Sequence, residues 1–589
     1  MQYFGSFFQV TIVSVYGYCL LAAATRRGKE SLIPFFVVSI IIFSLYLAAI
    51  TGVLYPVAIT IKYGGFLGLA LGAWLAWRGS MRQWAATCLP PPFLFFIGGC
   101  VLAGIAVAGT GITILDEFTH WGLIPKYLYY FAHLPTEDDT QIIYASYPPG
   151  LSLFHYFGVV GGSFDEGKLY QAGHVLIFAS LAPIIFLGRK TSVALRLIAI
   201  FFAYLLILTL GQRFKSLLAD PFLGLFLASI IMVYIHYCVS DPRALLALAI
   251  PIGCLVIIKD AGSLLAMVVV MFILLSEAAE YYFPRRASPR PRATSLIAAL
   301  AVIVILPFAV GASWKHHTRS HNISVGLKPI GSNISGFLDK VMGGGDQAEK
   351  QIVSKFYKSF STIKLNNIHS YEDEGMALTR WLAIVALMTL AAWYLSPRGS
   401  SRRRAIVLCA LLLLASGVIY CLGVLMVYLE VYHPKHSLAM PAFARYMDIY
   451  ILAYALFAFG ALMGTQDSEK SPNPIIPAAL LVMVSLIIID SGQRISPLSP
   501  FDFPPTSAKA DMADSAAFSI AAIPQDKSTL IECGDKGCGI HQVILQYELV
   551  PLKTNMKRWS AKGISKDPAK QAYLAEYDYI FLLGAHSGA

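Results

Sequence analysis

Two adjacent carboxylates, Asp116 and Glu117, stand at the end of a long apolar run, and His120 with Trp121 follows within one helical turn. A carboxylate at such a place can take a proton from a hydroxyl, and an imidazole one turn away is its competitor for that task. Ionisable groups at the edge of a membrane span are costly unless they face water or a partner, so the pair marks a site by default. Three further stretches carry charge where apolar sequence surrounds it. A short connection reads Gln212-Arg213-Phe214-Lys215 and then Leu218-Ala219-Asp220-Pro221. Lys259-Asp260-Ala261-Gly262 interrupts an otherwise continuous apolar stretch, and Arg445-Tyr446 opens another after a segment holding His433, Lys435 and His436. A cation at a helix break or a span end can meet an anion through charge-assisted hydrogen bonds.

The elements that must position these residues are membrane spans. Of 589 residues, 57% are hydrophobic and 13% charged, against about 25% charged in a soluble domain. The net charge of +11 comes from Lys and Arg in short clusters between apolar spans, the pattern of positive-inside loops and not of a nucleic-acid surface. No Walker A, zinc-finger or Rossmann pattern appears. A span needs about 20 apolar residues. On that basis about 14 segments qualify: 6–24, 32–54, 57–77, 93–114, 165–187, 193–211, 221–239, 244–258, 262–282, 295–313, 379–396, 405–429, 446–465 and 473–490. The first lacks a basic region before it and reads as a retained span. Clusters at Arg26/Arg27/Lys29, Arg78/Arg82, Arg189/Lys190, Arg285/Arg286/Arg290/Arg292 and Arg398/Arg402–Arg404 all fall on one side of this count. That side is the cytoplasm, which leaves the Asp116 loop and the C-terminus outside.

Asp116-Glu117 at the exit of a span, then the aromatic helix with Trp121, Ile124, Leu128 and Phe131, then Tyr147-Pro148-Pro149-Gly150, resembles the first outer loop of the GT-C glycosyltransferases. These polytopic enzymes take sugars from polyprenyl phosphates; the lipid A aminoarabinose transferase and the protein O-mannosyltransferases are examples. The resemblance implies a GT-C-like catalytic core over 93–490, with outer loops at 115–164 and 314–378, preceded by extra helices over 1–92. It implies a polyprenyl-phosphate sugar as donor and a glycan or glycolipid hydroxyl as acceptor. It further implies inversion, no required cofactor or metal, and a bacterial inner membrane with the site on its extracytoplasmic side. Asp116 matches the family's first acidic position and takes the role of base, with Glu117 beside it and His120 as rival. Asp220 matches an acidic residue of the second outer loop, and Lys259 a basic residue at a small-residue turn. Arg213, Lys126, Arg445 and Tyr446 complete the expected donor-phosphate and substrate contacts.

Each residue also has a plainer reading. Asp116 and Glu117 would cap the helix that follows by accepting its free N–H groups. Asp220 would cap the span that Pro221 opens. Lys259 would pair with Asp260 or Asp220, and Lys126 would snorkel. His316, His317 and His321 cluster after the tenth span, but a metal needs three or four convergent ligands. A transporter or flippase for lipid-linked glycans, or an oligosaccharide ligase, is the rival class, although no internal repeat relates the chain's halves.

Outside the spans, Gln351–Ile363 puts Ile352, Phe356 and Phe360 on one face and Lys355 and Lys358 on another, as in a helix lying in the interface. The tail over 491–589 opens with a Pro-rich linker. It then reads as a small α/β domain with a helix over 510–523 and strands over 529–533, 543–550 and 579–583. Seven of the nine cysteines lie in or beside apolar runs; Cys533 and Cys538 fall in Cys-Gly-Asp-Lys-Gly-Cys. Outside the cytoplasm these two should pair, since four intervening residues with two glycines close a tight loop; zinc would need more ligands than nearby His541.

Overall fold

The computed structural model describes residues 10–25, 29–78, 87–137, 139, 142, 144–187, 192–210, 215–239, 241–282, 293–323, 334–365, 375–398, 400–467, 474–490, 516–517, 519–524, 527–533, 539–558 and 577–583. Every one of the 14 expected spans is a helix. In chain order these are α1 (Val10–Thr25), α2 (Ile33–Ile50), α3 (Leu54–Trp77), α4 (Pro91–Val107), α7 (Glu166–Ile185), α8 (Val193–Thr209) and α9 (Asp220–Val233). They continue with α10 (Pro242–Ile258), α11 (Ala261–Tyr282), α12 (Ala293–Ser320), α15 (Leu378–Leu395), α16 (Ser401–Glu430), α18 (Phe443–Gly464) and α19 (Ile475–Asp490). Among the described residues nine helices are long and apolar enough to cross a membrane, and five apolar helices of 10–17 residues accompany them. The chain is therefore a mainly α, polytopic integral membrane protein.

Burial divides these helices. α9 and α18 pack face to face at the centre, and α18 is almost wholly enclosed. α12, α15 and α16 instead expose Phe308, Leu390, Tyr394 and Leu411. Apolar surface of that extent is stable only against lipid. α1 and α3 form a tight pair because glycines line their seam: a Cβ on Gly17 would meet Gly65 O at 1.8 Å, and one on Gly65 would meet the Ser14 backbone. Small residues at such a seam let backbones approach and gain dispersion contact that lipid does not supply.

Two short helices lie between α4 and α7. α5 (Leu123–Phe131) ends at Ala132 in the left-handed region, and α6 (Gly150–Val159) is buried along its whole length. The α6 carbonyl end is held by Lys62 of α3. Its ammonium donates to Phe157 O (3.0 Å), Gly158 O (3.3 Å) and Val160 O (2.7 Å). Thr11 of α1 adds a bond to Gly158 O at 3.3 Å. A cation at a helix C-terminus meets the negative end of its dipole. At the other end of α6, a Cβ on Gly150 would lie 2.8 Å from Ile257 O. Glycine there lets α6 abut the last turn of α10.

Beyond α12 come α13 (Ile334–Val341), α14 (Gln347–Thr362) and a two-residue antiparallel ladder of β1 (Lys364–Leu365) with β2 (Met376–Ala377), and a single turn, α17 (Pro434–Ser437), precedes α18. α14 carries a full capping box between Asp346 and Glu349. Its apolar stripe is not left to the interface: Phe356 packs on the Tyr428 and Phe443 rings and Phe360 on Phe443. Lys355 and Lys358 stay exposed, as expected.

The C-terminal unit corrects one expectation. Residues 543–550 are not a strand: α20 (Gly539–Glu548) covers most of them, and the strand after it, β4 (Lys553–Arg558), was not foreseen. Ile544 and Tyr547 face the membrane bundle, whereas Leu545 and Leu549 face a separate small core with Ile531 and Leu552. A helix that is apolar on two sides gives a continuous apolar run, which periodicity alone cannot tell from a buried strand. With β3 (Ser528–Cys533) and β5 (Tyr579–Leu583), β4 forms a parallel sheet in the order β4-β3-β5. The side chain of Cys533 and the whole of Cys538 lie outside the described residues, as do Arg213 and the 495–505 linker.

The glycine seam yields a measurable expectation. Gly65→Leu should destabilise the protein by about 1–3 kcal/mol, the usual cost of overpacking, read as a lower unfolding midpoint in detergent. A midpoint equal to wild type would mean that α1 and α3 tolerate separation.

Candidate active site

The acidic turn begins where α4 has ended. Gly122 N–H bonds to Glu117 O at 2.8 Å, a five-residue span that opens the turn wider than an α-helix. Such π-turns recur at functional sites because they re-aim side chains. Here it sends neighbouring carboxylates to different places: the Asp116 side chain is 42% exposed, and Glu117 is fully buried. Neither caps the following helix. The Asp116 side chain makes no cap bond, and Glu117 is bound from elsewhere. Its Oε1 accepts from Leu217 N–H at 2.6 Å and its Oε2 from the Tyr170 hydroxyl at 2.7 Å.

Asp116 meets Arg445, the third residue of α18. Two residues in the left-handed region, Met440 and Ala442, shape the turn that delivers this arginine. Arg445 Nε also lies 3.6 Å from Asp220 Oδ2, and Asp220 Oδ1 accepts from the Lys259 ammonium. Lys259 reaches it because its own backbone is extended, which ends α10 before Ala261 starts α11. Asp220 does not cap α9; it lies inside the first turn with Pro221 and turns its carboxylate to the two cations. The pairing of Lys259 is therefore with Asp220. Asp116, Arg445, Asp220 and Lys259 form one row of alternating charge, drawn from four separate stretches of chain.

Aromatic rings frame the row. His120 packs edge-on against Trp121 (4.5 Å) and Tyr147 (5.0 Å), and Tyr144 stacks on Tyr147 at 5.0 Å. The Tyr446 hydroxyl is 3.0 Å from that of Tyr432, and Lys259 lies 6.0 Å above the Trp121 ring. Tyr144, Tyr147, Tyr432 and Tyr446 are half-buried. The first two flank the turn that leads into α6, so the Tyr-Pro-Pro-Gly signal does reach the site.

Two protonation states follow from these surroundings. Burial raises the Glu117 carboxyl to about 7; the Leu217 N–H and the Tyr170 hydroxyl oppose this, and the charges of Glu166 and Asp116 add to it. Burial, with the nearby Lys259 charge, lowers His120 to about 3. An imidazole whose conjugate acid is so strong is a poor proton acceptor at neutral pH.

Among the described residues, one expected cation is not in the row. Lys126 turns the other way, donating to Tyr547 O at 2.9 Å and pairing with Glu548 Oε2 at 3.5 Å. The Trp314 and His317 rings stack at 5.3 Å, and His317 packs on His321 at 4.5 Å; among the described residues no group of three or more His, Cys, Asp or Glu is placed to hold a metal. Arg213 falls outside the described residues. Sequence reasoning missed Tyr170 and Leu217 N–H; a tyrosine within an apolar helix and a loop amide leave no composition signal.

The opposite end of the bundle is basic. Arg402, at the start of α16, donates to Gly464 O and lies 3.1 Å from His236 Nδ1, and Arg404 lies 3.9 Å from Glu280.

Glu117 has a folded-state value above its ordinary one of 4.5. Its contribution to stability is thus fully present below about 4.5 and lost as pH rises through about 7. The thermal midpoint of the wild type should fall across that window, while Glu117→Gln loses this component. Parallel curves for the two proteins would show that Glu117 titrates normally.

Comparison with solved structures finds the crystal structure of ArnT from Cupriavidus metallidurans bound to undecaprenyl phosphate. It is 12% identical and covers 81% of this chain and 88% of that chain, with a TM-score of 0.36. No family model matches the chain, and no curated protein matches it.

Proposed function

We propose that this protein is a GT-C-type glycosyltransferase that moves a sugar from a polyprenyl phosphate to a hydroxyl of a glycan or glycolipid at the outer membrane face. The observation that carries the reading is the row Asp116–Arg445–Asp220–Lys259 at one end of a helical bundle. The resemblance of Asp116-Glu117 and Tyr147–Gly150 to the family's first outer loop supports it. Phosphate is a good leaving group, so the chemistry needs little acid assistance. It needs cations to hold the phosphate and a base for the acceptor proton.

Arg445 and Lys259 are the cations of the row, and a phosphodiester oxygen shares them with Asp220. Asp116 is the exposed carboxylate, and it pairs with Arg445. In the proposed step the acceptor hydroxyl oxygen attacks the anomeric carbon on the face opposite the phosphate. The new C–O bond forms as the bond to the phosphate oxygen breaks; that oxygen keeps the electron pair, and the hydroxyl proton passes to Asp116. The product has inverted configuration. Tyr144, Tyr147, Tyr432 and Tyr446 offer ring faces to the apolar C–H side of a sugar. Glu117, buried behind them, positions the turn.

Asp116→Asn removes the proton acceptor while keeping size and polarity. Transfer from a radiolabelled polyprenyl-phosphate sugar should fall by about 10²–10⁴-fold at saturating donor, and His120→Ala should lose far less. A dead His120→Ala beside an active Asp116→Asn would move the base to the histidine.

Sidedness has its own test. A cysteine at Lys350, exposed on α14, should react with an impermeant maleimide added outside intact cells, and one at Arg398, between α15 and α16, should not. The reverse pattern would put the charge row in the cytoplasm and remove an outer-face acceptor.

A further inference from the structure

The C-terminal β-α-β unit lies against the acidic turn through one ring. Tyr547, in the last turn of α20, is fully buried, and its ring meets that of Phe118 edge to face at 5.4 Å and 76°. Phe118 follows Glu117 directly and is buried as well. The Lys126 ammonium covers the Tyr547 ring at 4.3 Å. That ammonium also donates to Tyr547 O at 2.9 Å and Glu548 O at 3.5 Å, and pairs with Glu548 Oε2 at 3.5 Å. These are carbonyls at the negative end of α20, so a cation of the first loop completes a helix of the C-terminal unit. Ile544 and Val550 join the same bundle-facing surface. Burial raises the Tyr547 phenol, and the charges of Glu166, at the start of α7, and Glu548 add to this; the Glu166 charge is also felt by Glu117. Tyr547 therefore stands beside the enclosure that keeps water from Glu117.

We propose that Tyr547 is a positioning residue for the acidic turn: through Phe118 it keeps Glu117 dry, and with Lys126 it makes the C-terminal unit a wall of the site. The proposal rests on the glycosyltransferase reading only for its effect on turnover. Its effect on Glu117 stands apart from any reaction. The groups that face Glu117 are Tyr170 and Glu166 of α7, Asp116 beside it and the Leu217 amide. Tyr547 replaced by a small residue admits water beside Phe118; it also removes the hydroxyl that meets Glu166, a loss that Tyr547→Phe shares and so controls for.

The test uses the full chain in lipid nanodiscs. The infrared band of protonated Glu117, identified by its disappearance in Glu117→Gln, is titrated with pH. Wild type and Tyr547→Phe should share one midpoint, because the ring is kept. Tyr547→Ala should move the midpoint down by about one pH unit or more, as hydration favours the anion. Lys126→Met should move it in the same direction. In transfer assays Tyr547→Ala should lower kcat and leave the donor KM near its wild-type value, with Tyr547→Phe restored. A folded, monodisperse Tyr547→Ala protein with an unchanged Glu117 midpoint overturns the proposal. If Tyr547→Ala does not fold, Tyr547→Val, which still leaves much of the ring's volume open to water, is titrated instead and judged by the same criterion. Wild type that transfers no sugar from any polyprenyl phosphate defeats the functional reading and leaves the infrared result standing.

Discussion

Four charges gathered at one end of a lipid-embedded bundle can persist only if they nearly cancel. Asp220 is almost wholly enclosed, its side chain 2% exposed, and a lone carboxylate there would carry a desolvation penalty of several kcal/mol. Lys259 and Arg445 remove that penalty together. Arg445 then has a face left for Asp116, so the most exposed carboxylate is anchored through the most buried one. The helix order serves this requirement. α9 must present its first turn, α10 must break at Lys259, and α18 must carry an arginine in its first turn. Loss of any one cation strands an anion, which is why the four stretches constrain one another although they are far apart in sequence.

Glu117 belongs to the same turn but to another electrostatic world. Its two donors, from α7 and from the loop before α9, tie the acidic turn to helices on either side. Burial disfavours the anion there, and the charges of Glu166 and Asp116 add to this, so near neutrality this carboxyl is poised between its two forms. Two carboxylates adjacent in sequence thus meet different surroundings: Asp116 is exposed beside Arg445, and Glu117 is enclosed.

The spans were readable because lipid imposes one rule, about 20 apolar residues per crossing, and each segment found by it is a helix. The charge row was readable by residue type: Asp116, Asp220, Lys259 and Arg445 interrupt apolar sequence, and charge there is expensive. What was hidden depended on distant partners. Which of Asp116 and Glu117 is buried turns on a π-turn, and successive side chains on a helix diverge by about 100°. Lys126 had the composition of a surface cation, yet its acceptor lies 421 residues away. Residues 543–550 have strand-like β-branched content, and only the presence of two separate cores, one on each side, makes them a helix.

Lys62 has an implication for assembly. Its ammonium, on α3, is enclosed among three carbonyls at the end of α6, a helix encoded almost a hundred residues later. Chains fold largely from the N-terminal side as they are made. The α1–α3 pair would then be in the bilayer before α6 exists, with a cation awaiting the carbonyls that will receive it. The α6 end has no comparable partner elsewhere among the described residues, so the early pair acts as a template on which the acidic loop closes. In that sense the first helices set the order in which the site is built, although none of their side chains belongs to it.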